Sequence, residues 1–152
     1  MALHLHRRAV LRAALASAAS AAGVLASPAA QACEFFCPTL RIYLPWARAT
    51  DPQDKTAQLF MTFDEVIRDD RLIGIEFAHA QGAAMLLNGV RQAVSVPIPA
   101  GKVTDVQERG PIVLLLEGLT QPLLLGREYP LTLIFEHGGR VAADIDVAQG
   151  KA

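Results

Sequence analysis

Cys33 and Cys37 are the only cysteines in the 152 residues, spaced as Cys33-Glu34-Phe35-Phe36-Cys37. If this segment makes a helical turn, the two thiols share a face and come close enough for a disulfide or a shared metal ion. In an extended segment they stand roughly 13 Å apart and can do neither. As thiolates they form a soft donor pair of the kind that holds Cu(I), and cleavage before Cys33 would add a free amine. In an oxidising compartment the same pair reads as a disulfide pinning an N-terminal arm, although closing so small a loop gains little stability. A redox-exchange pair needs a thiol of lowered pKa, which Glu34 next to Cys33 opposes. Lipidation of Cys33 is a further reading, for which Gln31 is a poor fit.

The other residues able to do chemistry are few. His79 and His137 both fall at expected strand ends, where an imidazole is either a hydrogen-bonded edge residue or a ligand facing a rim pocket. Met61 reads as core packing, and Met85 as core packing or a soft donor. Asp144 and Asp146 share a face, and a solvated edge that discourages sheet pairing accounts for them better than acid–base catalysis. Asp69, Asp70 and Arg71 read as a loop tip. The chain shows no Ser/His/Asp order, no glycine-rich phosphate loop and no zinc spacing, so no enzyme is expected.

The compartment is written at the N-terminus. Arg7, Arg8 and Arg12 precede an Ala/Leu-rich stretch from Val10 to Ala26, and Ala30-Gln31-Ala32 forms a small-x-small cleavage site. The stretch is broken by Ser17, Ser20 and Gly23 and is too short and weakly apolar to span a membrane. Arg7-Arg8-Ala9-Val10-Leu11-Arg12 also resembles the twin-arginine export consensus, the alternative being an ordinary Sec signal. Residues 1–32 are thus expected to be removed on export to a bacterial periplasm. The remaining 120 residues hold eleven basic and fifteen acidic side chains, a net charge of −4. That balance offers no basic patch for nucleic acid or an anionic membrane surface.

Strands must position these groups, because apolar and polar residues alternate with period two almost throughout. Leu40, Ile42 and Leu44 share a face in a strand that Pro45 should end. Leu59, Met61 and Phe63 share the next, and Ile73, Ile75 and Phe77 a third. Gln92 to Ile98 alternates through Val94 and Val96, while Pro97, Pro99 and Gly101 read as turns. Ile112 to Leu116 is continuously apolar, as in a strand covered on both faces. Tyr129, Leu131, Leu133 and Phe135 keep one phase, as do Val141, Ala143, Ile145 and Val147, with Gly138-Gly139 as a two-residue hairpin loop between them. Short strands with Gly/Pro turns and no helical periodicity predict one all-β domain, an antiparallel sandwich or barrel over 39–152 behind a cysteine-bearing arm at 33–38.

Five segments carry a resemblance to a known family. They are Pro45 to Thr50 (PWARAT), Ala57 to Phe63 (AQLFMTF), Arg71 to Gly74, Ile98 to Gly101, and Gly118 to Gly139. In this order the chain resembles the periplasmic copper chaperones of the PCu(A)C type over most of the mature domain. The resemblance implies a cupredoxin-like antiparallel β-sandwich of Greek-key type, with Trp46 and Arg48 setting the turn after the first strand. It also implies a copper-donating or copper-accepting partner protein, such as an oxidase assembly factor.

That family holds Cu(I) with two histidines and two methionines, and this chain has none of them at the matching positions. Counting back from Gly118 puts Val113 and Leu115 where the second histidine and its methionine are expected. Counting on from Leu72 puts Leu86 at the first histidine, with Val90 nearest the first methionine. Aliphatic side chains offer Cu(I) no donor. Two readings follow. In one, Cu(I) binding has moved to Cys33 and Cys37. In the other, the domain is a metal-free scaffold that acts as an interaction module in copper or respiratory-complex assembly.

Overall fold

The computed structural model of the protein describes residues 33–150; the expected export segment, 1–32, lies outside the described residues. Strand-forming alternation becomes eleven strands, with no helix among the described residues. They are β1 (Glu34–Phe36), β2 (Arg41–Arg48), β3 (Thr56–Asp64), β4 (Asp70–Glu76), β5 (Gly82–Leu87), β6 (Val90–Gln92), β7 (Val96–Ile98), β8 (Thr104–Val106), β9 (Ile112–Glu117), β10 (Glu128–Phe135) and β11 (Gly139–Ala148).

The hydrogen-bonded order is β6-β5-β9-β3-β2-β11-β10-β4-β7, with β1 added to β2 and β8 to β3. Every ladder is antiparallel except β2–β11, which is parallel and departs from the all-antiparallel expectation. The sheet curls into a cupredoxin-like sandwich whose inner faces meet where Phe63 of β3 packs edge-on against Phe135 of β10, ring centroids 5.8 Å apart. Ile42, Leu59, Phe63, Leu72, Leu114, Leu116, Leu133 and Ile145 are sealed from solvent around that contact. Burying each contributes about 1.5–3 kcal/mol, which makes this layer the main source of stability.

The inward phases expected for β3, β10 and β11 are those observed. Elsewhere irregular backbone changes the outcome. Pro45 does not end its strand, because the register of β2 against β3 slips between Tyr43 and Trp46. Leu44 takes a left-handed φ of 46° at that bulge. The missing Pro45 N–H therefore falls where the ladder has no partner for it, and the strand continues through Trp46 to Arg48. In β4, Ile134 pairs with Gly74 and Phe135 with Leu72, leaving Ile73 as the extra residue. Ile73 accordingly points to solvent, and the buried set is Leu72, Ile75 and Phe77.

Turns differ too. Pro97 lies within β7, an edge strand that tolerates it, rather than in a turn. Phe135 pairs with Gly139, so the last hairpin has a three-residue loop, Glu136-His137-Gly138, instead of Gly138-Gly139. The two-residue hairpin is Asn88-Gly89, between paired Leu87 and Val90, with φ of 49° and 83°. Asn-Gly is the sequence signature of such a turn.

Candidate metal centre

The segment expected as an arm ahead of the domain is its first strand. Glu34, Phe35 and Phe36 pair with Tyr43, Ile42 and Arg41, and the ladder continues as the Leu44 N–H donates to the Cys33 carbonyl at 2.9 Å. Cys33 and Cys37 thus sit at opposite ends of an extended three-residue strand and form no disulfide with one another. Pairing with β2 overrides the helical turn that would have brought them together. Arg41 reinforces that pairing. Its guanidinium binds Asp64 at 2.7 and 2.6 Å and reaches Glu34 and Glu65 at 3.3 Å.

At the start of β1, Cys33 Sγ donates to Asp146 Oδ2 at 3.8 Å. Asp146 on β11 is the direct cross-strand partner of Glu128 on β10. One ligand atom from each of Cys33, Glu128 and Asp146 lies within 4.8 Å of the other two, the one such convergence among the described residues. Two carboxylates facing each other across a ladder repel, a destabilising arrangement unless a cation or proton intervenes. Burial pushes the Cys33 thiol up from its ordinary pKa, and Asp146, Glu128 and Asp144 push it further. Glu34, expected to do this, is instead engaged by Arg41. A cation between these groups would neutralise the carboxylates and release the thiol proton. One soft sulfur with two hard oxygens suits a borderline divalent ion better than a soft monovalent one.

At the other end of β1, Cys37 Sγ lies 3.2 Å from Thr39 Oγ1. The Thr39 hydroxyl donates to Asp70 Oδ2 at 2.6 Å, so the Cys37 S–H is the donor to Thr39. Asp70, expected at an exposed loop tip, is 6% exposed. Its carboxylate also accepts the backbone N–H groups of Arg71, His137 and Gly138 at 2.8 to 2.9 Å. Burial works to raise its pKa, but the bonds from Thr39 and from these backbone groups outweigh it and hold the carboxyl low. Cys37 therefore belongs to a structural knot that ties β1, β4 and the last hairpin together.

The side chains of the remaining candidates have partners of their own. His79 packs edge-on against Phe77 and Tyr129, and exposed His137 meets Arg68 Nη2 through Nδ1 at 3.2 Å. Met61 and Met85 are buried in the core. Trp46 lies inside β2 and stacks on Phe60, while Arg48 pairs with Glu108 at 2.8 Å. The positions matched to the family's ligands do converge. Leu86 of β5 is the direct partner of Val113 on β9, and Leu115 stands two residues along, opposite Ala84.

Sequence reasoning missed Glu128 and misread Asp146. The strand bearing Asp146 is no edge, since it lies between β2 and β10. Alternation marks the face of Asp146, but only long-range pairing brings Glu128 and Cys33 to it.

The all-β curled sandwich is shared with solved PCuAC domains. The copper-bound PCuAC domain from PmoF2 superposes with a TM-score of 0.68 at 26% identity, covering 76% of this chain and 97% of that one. The apo PmoF2 domain gives 0.67 at 25% identity, covering 78% and 97%. The Cu(I) form of DR1885 from Deinococcus radiodurans shares the fold, with a TM-score of 0.62, 21% identity and coverage of 79% and 82%. No curated protein matches the chain. The LpqE-like family model, for lipoproteins by its description, matches residues 40–147. The chain belongs to this LpqE-like family.

Proposed function

We propose that this protein is an extracytoplasmic copper carrier that holds its metal at the Cys33 end of β1, through Cys33, Asp146 and Glu128. The observation that carries the reading is the convergence of these three donors on a fold whose 26%-identical relative was solved with copper bound. The export-type N-terminus supports a periplasmic setting, in which a copper-donating or copper-accepting protein is the partner. While β1 stays paired to β2, the mixed donor set favours Cu(II) over Cu(I). Cys37 joins as a second soft donor, making a Cu(I) pair, only if Glu34–Phe36 leaves the sheet.

The test is copper retention by the purified protein, in both oxidation states, against a competing chelator. Loss in Cys33→Ser with retention in Cys37→Ser supports the trio. Loss in both single variants brings in Cys37 and the unpaired strand.

A second reading, the metal-free interaction module, is favoured by a different observation. Leu86 and Val113, which the resemblance matches to ligand positions, form a half-buried aliphatic pair beside exposed Leu87 and Val90. It predicts no retention of copper in either oxidation state by the wild-type protein.

A further inference from the structure

A groove of about 730 Å³ opens between β2, β3 and the segment 105–109 that runs out of β8. Its size is that of a site for a small ligand or a few side chains. Trp46 forms its floor, stacked on the buried Phe60 with ring centroids 4.4 Å apart and tilted by 33°. Leu44 adds an apolar wall, and it is doubly unusual. It is 42% exposed, and its backbone adopts the left-handed φ of 46° that a leucine takes only at a cost in stability. The bulge carries β2 past Pro45, but the leucine side chain itself adds nothing to the core, because it faces the groove and solvent.

The rim is acidic. Asp105, Glu108 and Asp146 line it against the single cation Arg109. Glu108 Oε1 is buried and makes no well-formed hydrogen bond, although Arg48 Nη2 lies 2.8 Å away as its ion-pair partner. The indole face of Trp46, flanked by carboxylates, attracts a cation carried on an apolar stem, through ring quadrupole and charge together.

We propose that this groove docks a segment of a partner protein that presents a basic side chain next to an aliphatic one. The charge of the rim selects the basic group, and Leu44 with Trp46 selects the apolar neighbour. Asp146 belongs to both the groove and the Cys33 trio, so a docked segment lies beside the proposed metal donors. The inference goes beyond the copper reading and stands whether or not metal binds.

Trp46, the one tryptophan of the chain, reports directly on the groove. Its fluorescence is followed while the metal-free protein is titrated with acetyl-Leu-Arg-Leu-amide, and with acetyl-Leu-Glu-Leu-amide as control. A saturable change with the first peptide alone, weakened by added salt, is expected. Leu44→Gly should raise Tm by relieving the backbone yet weaken peptide binding roughly fivefold or more, the signature of a residue kept for recognition. Asp105→Asn with Glu108→Gln should also weaken it. Equal responses to both peptides, no saturable response, or wild-type binding by Leu44→Gly would overturn the proposal. So would a Trp46 signal that tracks protein concentration without peptide, which would make a second copy the occupant.

Discussion

Leu86 and Val113 face each other directly across the β5–β9 ladder. The resemblance matches each position to a histidine ligand of the PCu(A)C chaperones, and their direct pairing is the geometry that two ligands of one site would need. Restoring the donors should restore a site. Leu86→His, Val113→His and Leu115→Met, made together in a Cys33→Ser, Cys37→Ser background, are expected to create Cu(I) retention where that background has none. Each exchange should cost about 1 kcal/mol or less, since these side chains are only half-buried. If the five-fold variant folds and retains no Cu(I), the matched positions are not the family's.

Asp146 sets the state of the Cys33 thiol. Its charge and hydrogen bond, with burial acting first, keep the thiol protonated to a higher pH than usual. Metal must displace that proton, so copper affinity should rise with pH until the thiol ionises by itself. Asp146→Asn should weaken copper binding while speeding alkylation of Cys33 by iodoacetamide at fixed pH, because more thiolate is present. Slower alkylation in that variant would show that Asp146 does not govern the thiol.

Asp70 should be the main acid-sensitive anchor of the fold. Its carboxyl is held below the usual range in the folded state. The stabilisation it supplies is therefore complete above its unfolded pKa of about 3.9 and disappears as pH falls through the lower folded value. Asp70→Asn should cost about 2–3 kcal/mol at neutral pH, where a charged acceptor of four hydrogen bonds is lost, and progressively less in acid. Thermal or urea unfolding of both proteins across pH measures this. A cost that does not shrink in acid would refute the assignment.

Gly138 is required by a close approach. A Cβ there would lie 2.7 Å from Cys37 Sγ, 2.8 Å from Thr39 Oγ1 and 3.0 Å from Asp70 Oδ2. Gly138→Ala should therefore disrupt the knot and destabilise the protein by about 1–3 kcal/mol. The companion exchange Cys37→Ala relieves one of the three contacts and should recover part of that loss in a double-mutant cycle. Strict additivity of the two changes would argue against the knot.

The sandwich was legible where alternation runs unbroken, as in Leu59–Met61–Phe63 and in Tyr129 to Phe135 against Val141 to Val147. It misled where one extra residue entered a strand. Ile73 sits on the wrong side because the bulge shifts the phase, and Pro45 is passed because the ladder slips around it. Neither irregularity has a signature in residue type alone. The Asn88-Gly89 hairpin, absent from the expectations above, does have a signature in residue type. The trio was not legible, since Glu128 and Asp146 become neighbours through the β10–β11 register and Cys33 reaches them only by pairing with β2. The spacing of Cys33 and Cys37 left their convergence open, and an edge strand decided against it in this arrangement.

Copper retention by wild-type, Cys33→Ser and Cys37→Ser proteins, measured side by side against one chelator, tests the account most directly. The wild type and Cys37→Ser should each hold one copper per chain, and Cys33→Ser should hold none. Retention by Cys33→Ser equal to that of the wild type, or no copper on the wild type, would contradict a metal centre built on Cys33.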